Sequence, residues 1–116
     1  MVLYRPVGAQ ELRLIEDSGF TAFPPRLPGQ PIFYPVLNRE YAAEIAGRWN
    51  TRDENSGYVG FVTRFEVDDA FAARYPVQTV GRAYHQELWV PAEDLAAFNR
   101  HIIGKIEVIE RFPAED

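Results

Sequence analysis

A chain of 116 residues has the length of one ordinary domain, and it can bury roughly two-thirds of its unfolded surface in one core. Its composition, 47% hydrophobic, 25% charged and 14% aromatic, is that of a folded globular protein and excludes extensive disorder. Twelve Lys and Arg against 17 Asp and Glu leave a formal charge of -5 that argues against nucleic-acid binding, and the lack of Cys excludes disulfides, thiolate metal sites and Cys nucleophiles.

The opening residues, Met1 to Pro6, lack the basic start and apolar segment of a signal peptide. No apolar run is long enough to cross a bilayer, so a cytoplasmic protein without membrane contact is expected. Val2 to Val7 reads as a short strand, with Pro6 placing it at an edge or ending it. Ala9 to Ser18 reads as a helix through Leu12 and Ile15, with Gly19 as its terminating residue. Phe23 to Pro31 carries four prolines and a glycine, which rules out a regular helix or central strand. It is read either as the wall of a cleft or as a stiff connector.

Ile32 to Val36 reads as a second short strand leading into Asn38, a good N-cap. The helix it caps, Arg39 to Trp49, repeats Tyr41, Ile45 and Trp49 every four residues, with Ala42 and Ala46 beside them, and so predicts one apolar stripe. Tyr58 to Val67 is the best candidate for a central strand, with Thr63 as the polar exception on its apolar face. Asp68 caps a short helical turn that Pro76 stops.

Tyr84 to Pro91 reads as one strand with unlike faces. Gln86, Leu88 and Val90 share one side; His85, Glu87 and Trp89 share the other, which sets an imidazole, a carboxylate and an indole in a row. Pro91 opens a helix with its buried stripe on Leu95, Phe98 and Ile102. Gly104 ends that helix and Lys105 to Phe112 forms the last strand, followed by a loose tail at 113–116. The whole is an α+β domain spanning 1–116.

Nucleotide-binding glycine loops and nucleophile-elbow serines are absent, and two histidines make a poor metal site, so no metal is expected. Leu3-Tyr4-Arg5 on a first strand, Phe33-Tyr34 on a short strand before a helix, and His85-Gln86-Glu87-Leu88 late in the chain resemble the dispersed signature of the ADP-ribosyltransferase fold. The resemblance implies two small, mostly antiparallel sheets with flanking helices around a cleft that binds NAD. It also implies cleavage of the nicotinamide-ribose bond, with transfer to an acceptor, which would include a protein, or to water. By the same resemblance Glu87 is the catalytic carboxylate, Arg5 holds ribose or phosphate oxygens, Tyr34 packs on nicotinamide, and Tyr4 and His85 belong to the binding set. His85 departs from the pattern, since transferases that modify protein side chains carry Gln or Glu there.

A crystallin-related ADP-ribosylation label also attaches to sequences of this look, but the hydrolases behind it are large, all-helical proteins with clustered aspartates, unlike this chain. Each candidate has a plainer reading: Glu87 as an ion-pair partner of Arg64 or Arg82, Arg5 as a partner of some carboxylate, Trp89 as core packing. The alternatives are a non-catalytic binding or regulatory module on the same fold, and a small partner subunit of an oligomer.

Overall fold

The computed structural model describes residues 1–114. In chain order the first elements are β1 (Val2–Val7), α1 (Ala9–Asp17), β2 (Ile32–Phe33), α2 (Arg39–Arg48) and β3 (Gly60–Val67). They are followed by α3 (Asp69–Ala72), β4 (Val77–Thr79), β5 (Gln86–Leu88), β6 (Val90–Pro91), α4 (Leu95–Arg100) and β7 (Ile102–Phe112). The architecture is α+β, with small antiparallel sheets and four helices. The expected loose tail falls partly outside the described residues.

Strand β3 lies at the centre of a three-stranded sheet ordered β1-β3-β7, which explains why Val62, Thr63, Phe65 and Val67 are all buried. Thr63 fits this interior because its hydroxyl donates to the carbonyl of Arg5 at 2.8 Å. At the outer edge of β1, the N–H of Tyr4 donates to Val36 and the N–H of Val36 donates back, at 2.9 and 2.8 Å. Val36 also faces Glu87 in antiparallel register, and β2 pairs with β6. The segment 32–36 therefore stitches the β1-β3-β7 sheet to the β5-β6 side.

That stitch is short for a covalent reason. Continuing the Tyr4–Val36 register would set Pro6 beside Tyr34, and Pro6 has no N–H to donate. Past the single pair the two strands separate, and the gap becomes a cleft.

Apolar side chains pack on both faces of the sheet. Leu3 and Val7 join Phe23, Phe33, Phe65 and Phe98 in the larger core, while Tyr4, pointing the opposite way from β1, joins Val36 and Val62 under α2. Helix α2 meets the sheet through Ala42 and Ala46, both fully buried. Its start is as expected: the Asn38 side chain accepts the N–H of Tyr41 at 2.8 Å and also donates to the carbonyl of Tyr84. Asp68 caps α3 through the N–H of Phe71 at 3.0 Å, and Gly19 adopts the left-handed backbone (φ 74°) just after α1.

Four expectations are corrected. The strand over Tyr84 to Pro91 is broken: Tyr84 and His85 sit in the turn before β5, where His85 N–H bonds Arg82 and Val80 N–H bonds His85. The ladder breaks again between β5 and β6, next to Pro35, which offers no donor. Strand β4, only three residues between Pro76 and Gly81, was hidden by those two breakers. Helix α4 stops at Arg100, and Gly104 lies inside β7 with φ 74°, where the β3–β7 register shifts between Arg64 and Glu66. Ile102 thus belongs to β7, not to a helical stripe. Trp49 is 69% exposed because α2 ends at Arg48: Trp49 is its C-cap, where the chain leaves the helix for a 3-10 turn at Asn50–Arg52 before the side chain can join Ala42 and Ala46.

Candidate functional site

The cleft opened by the splay of β1 has a volume of about 430 Å³ and is lined by Arg5, Tyr34, Ile45, Asn50, Glu87 and Trp89, with Pro6 and Val36 at its floor. All but Ile45 and Asn50 come from the β1 end, the 34–36 segment and the β5-β6 junction, so backbone pairing places them. Alternation puts Tyr34 with Val36, and Glu87 with Trp89, on the face that looks toward α2.

Glu87 is 9% exposed and is held by two aromatic donors. The Tyr41 hydroxyl donates to Oε2 at 3.0 Å and the Trp89 indole N–H donates to Oε1 at 2.8 Å. Neither Arg64 nor Arg82 pairs with it; Arg64 approaches Glu107 at 3.9 Å, and no cation stands within ion-pair distance of Glu87 among the described residues. An acceptor-only group is therefore fixed in orientation by neutral donors while its negative charge stays uncompensated. Burial, then the hydrogen bond and charge of Glu87, push the Tyr41 phenol up to about 12, so Tyr41 remains a proton donor throughout the neutral range.

Behind Tyr41 lies a second layer. Its ring rests on His85 with centroids 4.6 Å apart. His85 Nδ1 accepts the N–H of Arg82 at 3.1 Å, which leaves Nε2 to carry the proton toward Glu44 at 3.2 Å. The Tyr84 hydroxyl also donates to Glu44. Hydrogen bonds from Tyr84 and then His85 hold the Glu44 carboxyl below the usual carboxylate range. His85 thus buttresses the residue that grips Glu87 and does not line the cleft.

Arg5 does line it, but its guanidinium is already engaged. Nε and Nη2 donate to Glu11 at 2.7 and 3.0 Å, Nη1 reaches the carbonyl of Tyr34 at 3.4 Å, and the group lies 4.6 Å over the Phe33 ring. It ties α1 to β1 and to the 34–36 segment, a fork-on-carboxylate pair buried at 10% and 23% side-chain exposure.

Of the five residues singled out from sequence, Arg5, Tyr34 and Glu87 meet at the cleft. Tyr4 pairs with Val36 through its backbone and packs under α2, and His85 faces Glu44. Trp89, read as core, is 42% exposed and lines the cleft together with the half-exposed Tyr34. Its position two residues from Glu87 on one strand face was the available signal. Tyr41 meets Glu87 across 46 residues of chain, and Glu11 and Asn50 meet partners six residues away across turns that no strand or helix period marks, so none of the three shows in the sequence. Asn50 Nδ2 donates to Ser56, whose hydroxyl goes to Asp53, and the buried Oδ1 finds no partner among the described residues.

No cluster of three or more potential metal ligands exists among the described residues, and none of their helices is long and apolar enough to cross a membrane. No family model, curated protein or solved structure matches the chain.

Proposed function

We propose that the cleft binds the nicotinamide-ribose end of NAD and that Glu87 assists cleavage of the bond between them, on an architecture of the ADP-ribosyltransferase kind. One observation carries the reading: a carboxylate without an ion-pair partner among the described residues lines a cleft together with exposed Tyr34 and Trp89. Aromatic faces and a fixed negative charge suit a cationic planar ring, which the nicotinamidium of NAD is. As the bond between ribose C1′ and the ring nitrogen breaks, its electron pair moves to nicotinamide and neutralises it, and positive charge develops on the sugar. A preorganised carboxylate beside C1′ favours that state over the ground state. Water or an acceptor nucleophile then bonds to C1′ and loses its proton, with no net oxidation or reduction.

Within this reading Arg5 shapes the cleft and Glu11 supplies its counter-charge. Tyr41 and Trp89 orient Glu87, and His85 supports Tyr41.

Nicotinamide release from NAD by the wild type, with Glu87→Gln lowering turnover by about 100-fold or more, is the expected result. The variant should remain folded, losing about 1 kcal/mol because the amide nitrogen that replaces one carboxylate oxygen donates and cannot accept, leaving one of the two donors without its acceptor. Absence of both NAD binding and nicotinamide release in the wild type would sink the proposal. Saturable binding without release would instead favour a non-catalytic binding module, a reading supported by the Arg5 fork being already filled.

A further inference from the structure

A second groove, of about 500 Å³, adjoins the Glu87 cleft and shares Arg5, Pro6 and Asn50 with it. One wall is the proline-rich loop, through Pro24, Pro25, Arg26 and Leu27; the other is α1, through Gln10 and Leu14. Proline restricts the loop before any ligand arrives, so the wall needs little ordering on binding.

Arg26 is the feature of this groove that packing leaves unexplained. It is partly buried, and among the described residues its one hydrogen bond runs from Nε to the carbonyl of Ile32 at 3.1 Å. Both Nη groups lack a protein acceptor, and no carboxylate forms an ion pair with it among the described residues. The carboxylate whose charge bears on it, Glu11, is committed through both oxygens to Arg5. Asp53, the other carboxylate of the groove, accepts from Ser56 and from the N–H of Asn55. Burial and the neighbouring charge of Arg5 both push the pKa of Arg26 below its ordinary value, yet a guanidinium keeps its proton near neutrality. The groove thus holds two guanidinium groups and two carboxylates, but Glu11 is committed to Arg5 and neither carboxylate reaches Arg26, whose Nη edge stays open in a partly desolvated site. Leu14 and Leu27, 43% and 66% exposed, offer apolar surface in the same groove.

We propose that this groove is a nucleoside-diphosphate site, in which the open Nη edge of Arg26 grips a phosphate and Leu14 and Leu27 cover the flat base. The planar fork of Arg matches phosphate oxygens, and a charge without a protein partner gains most from an anion. The site deepens the reading of the Glu87 cleft and rests on it for the joining of both halves into one dinucleotide; the anion grip itself stands on Arg26.

The test is calorimetric titration of the full chain with ADP and with inorganic pyrophosphate. Wild type should bind both, ADP more tightly, with affinity falling as salt is raised. Arg26→Gln should weaken ADP by about tenfold or more, whereas Arg100→Gln, an equal loss of charge at an exposed residue at the end of α4, should bind as wild type does. Arg26→Lys serves if the glutamine variant misfolds: it keeps the charge without the fork, and should bind ADP more weakly than wild type. No saturable ADP binding by wild type, or equal binding by the Arg26 variants and wild type, overturns the proposal. Nicotinamide release separates the two sites. A protein that binds ADP through Arg26 but leaves NAD intact retains this groove and loses the Glu87 chemistry, and the converse result does the opposite.

Discussion

At the scale of single residues, the candidate site is defined by how a few polar groups are partnered. Glu87 takes neutral donors through both oxygens and keeps its charge, Arg5 has its charge cancelled by Glu11, and Arg26 has one neutral acceptor at Nε with its Nη edge open among the described residues. The aromatic partners carry a measurable signature. Tyr41 is pushed up to about 12 by burial and by Glu87, and Tyr75 to about 12 by burial and by Asp94, against an ordinary 10.0; Tyr84 is raised as well, by its bond to Glu44. A raised folded value means that the native chain holds protons the unfolded chain has already lost. The associated stability is complete below about pH 10 and disappears as pH climbs through about 12. An ultraviolet titration of phenolate should therefore show a late phase near the upper end of that window. Tyr41→Phe and Tyr75→Phe should each remove part of it and flatten the loss of stability between the two values. Titration of all six tyrosines in one step near 10.0 would contradict the described partnering.

At the scale of elements, helix starts and the central strand were legible because they depend on neighbours in sequence. Asn38 and Asp68 cap through N–H groups three residues on, and the run from Gly60 to Val67 alternates strongly enough to mark itself. What periodicity misjudged was the seat of α2, where Ala42 and Ala46, not Trp49, make the contact. Small residues there let the helix backbone lie close on β3: a Cβ added at Gly60 would stand 2.6 Å from the Ala46 carbonyl oxygen and 2.9 Å from its Cα. Those are backbone atoms and cannot rotate away. Gly60→Ala should accordingly destabilise the protein by about 1–3 kcal/mol, read as a lower urea midpoint at unchanged slope. Because Asn50 also packs against Gly60, the same variant should perturb the cleft.

At the scale of the whole molecule, two apolar clusters on opposite faces share β1 and β3, so neither can persist when the sheet is lost. Denaturation should be a single cooperative transition. Far-ultraviolet circular dichroism and the fluorescence of Trp89, measured in a Trp49→Phe background, should give coincident curves. An earlier loss of the Trp89 signal would show that the β5-β6 side opens separately from the central sheet.

Composition, the lack of Cys, the helix caps, the central strand and the proline breaks were determined by the sequence itself, since each follows from chemistry within a few residues. The strand-face alternation that sets Glu87 beside Trp89 belongs with them. Only the tertiary structure decided that Pro6 parts β1 from Tyr34 to open a cleft, that Glu11 occupies Arg5, that Tyr41 reaches Glu87 from α2, and that Arg26 is left unpaired. Most of these outcomes join residues far apart in the chain, and even Arg5 and Glu11, six residues apart, meet only because α1 folds back on β1; such geometry is set by packing, which no local pattern records.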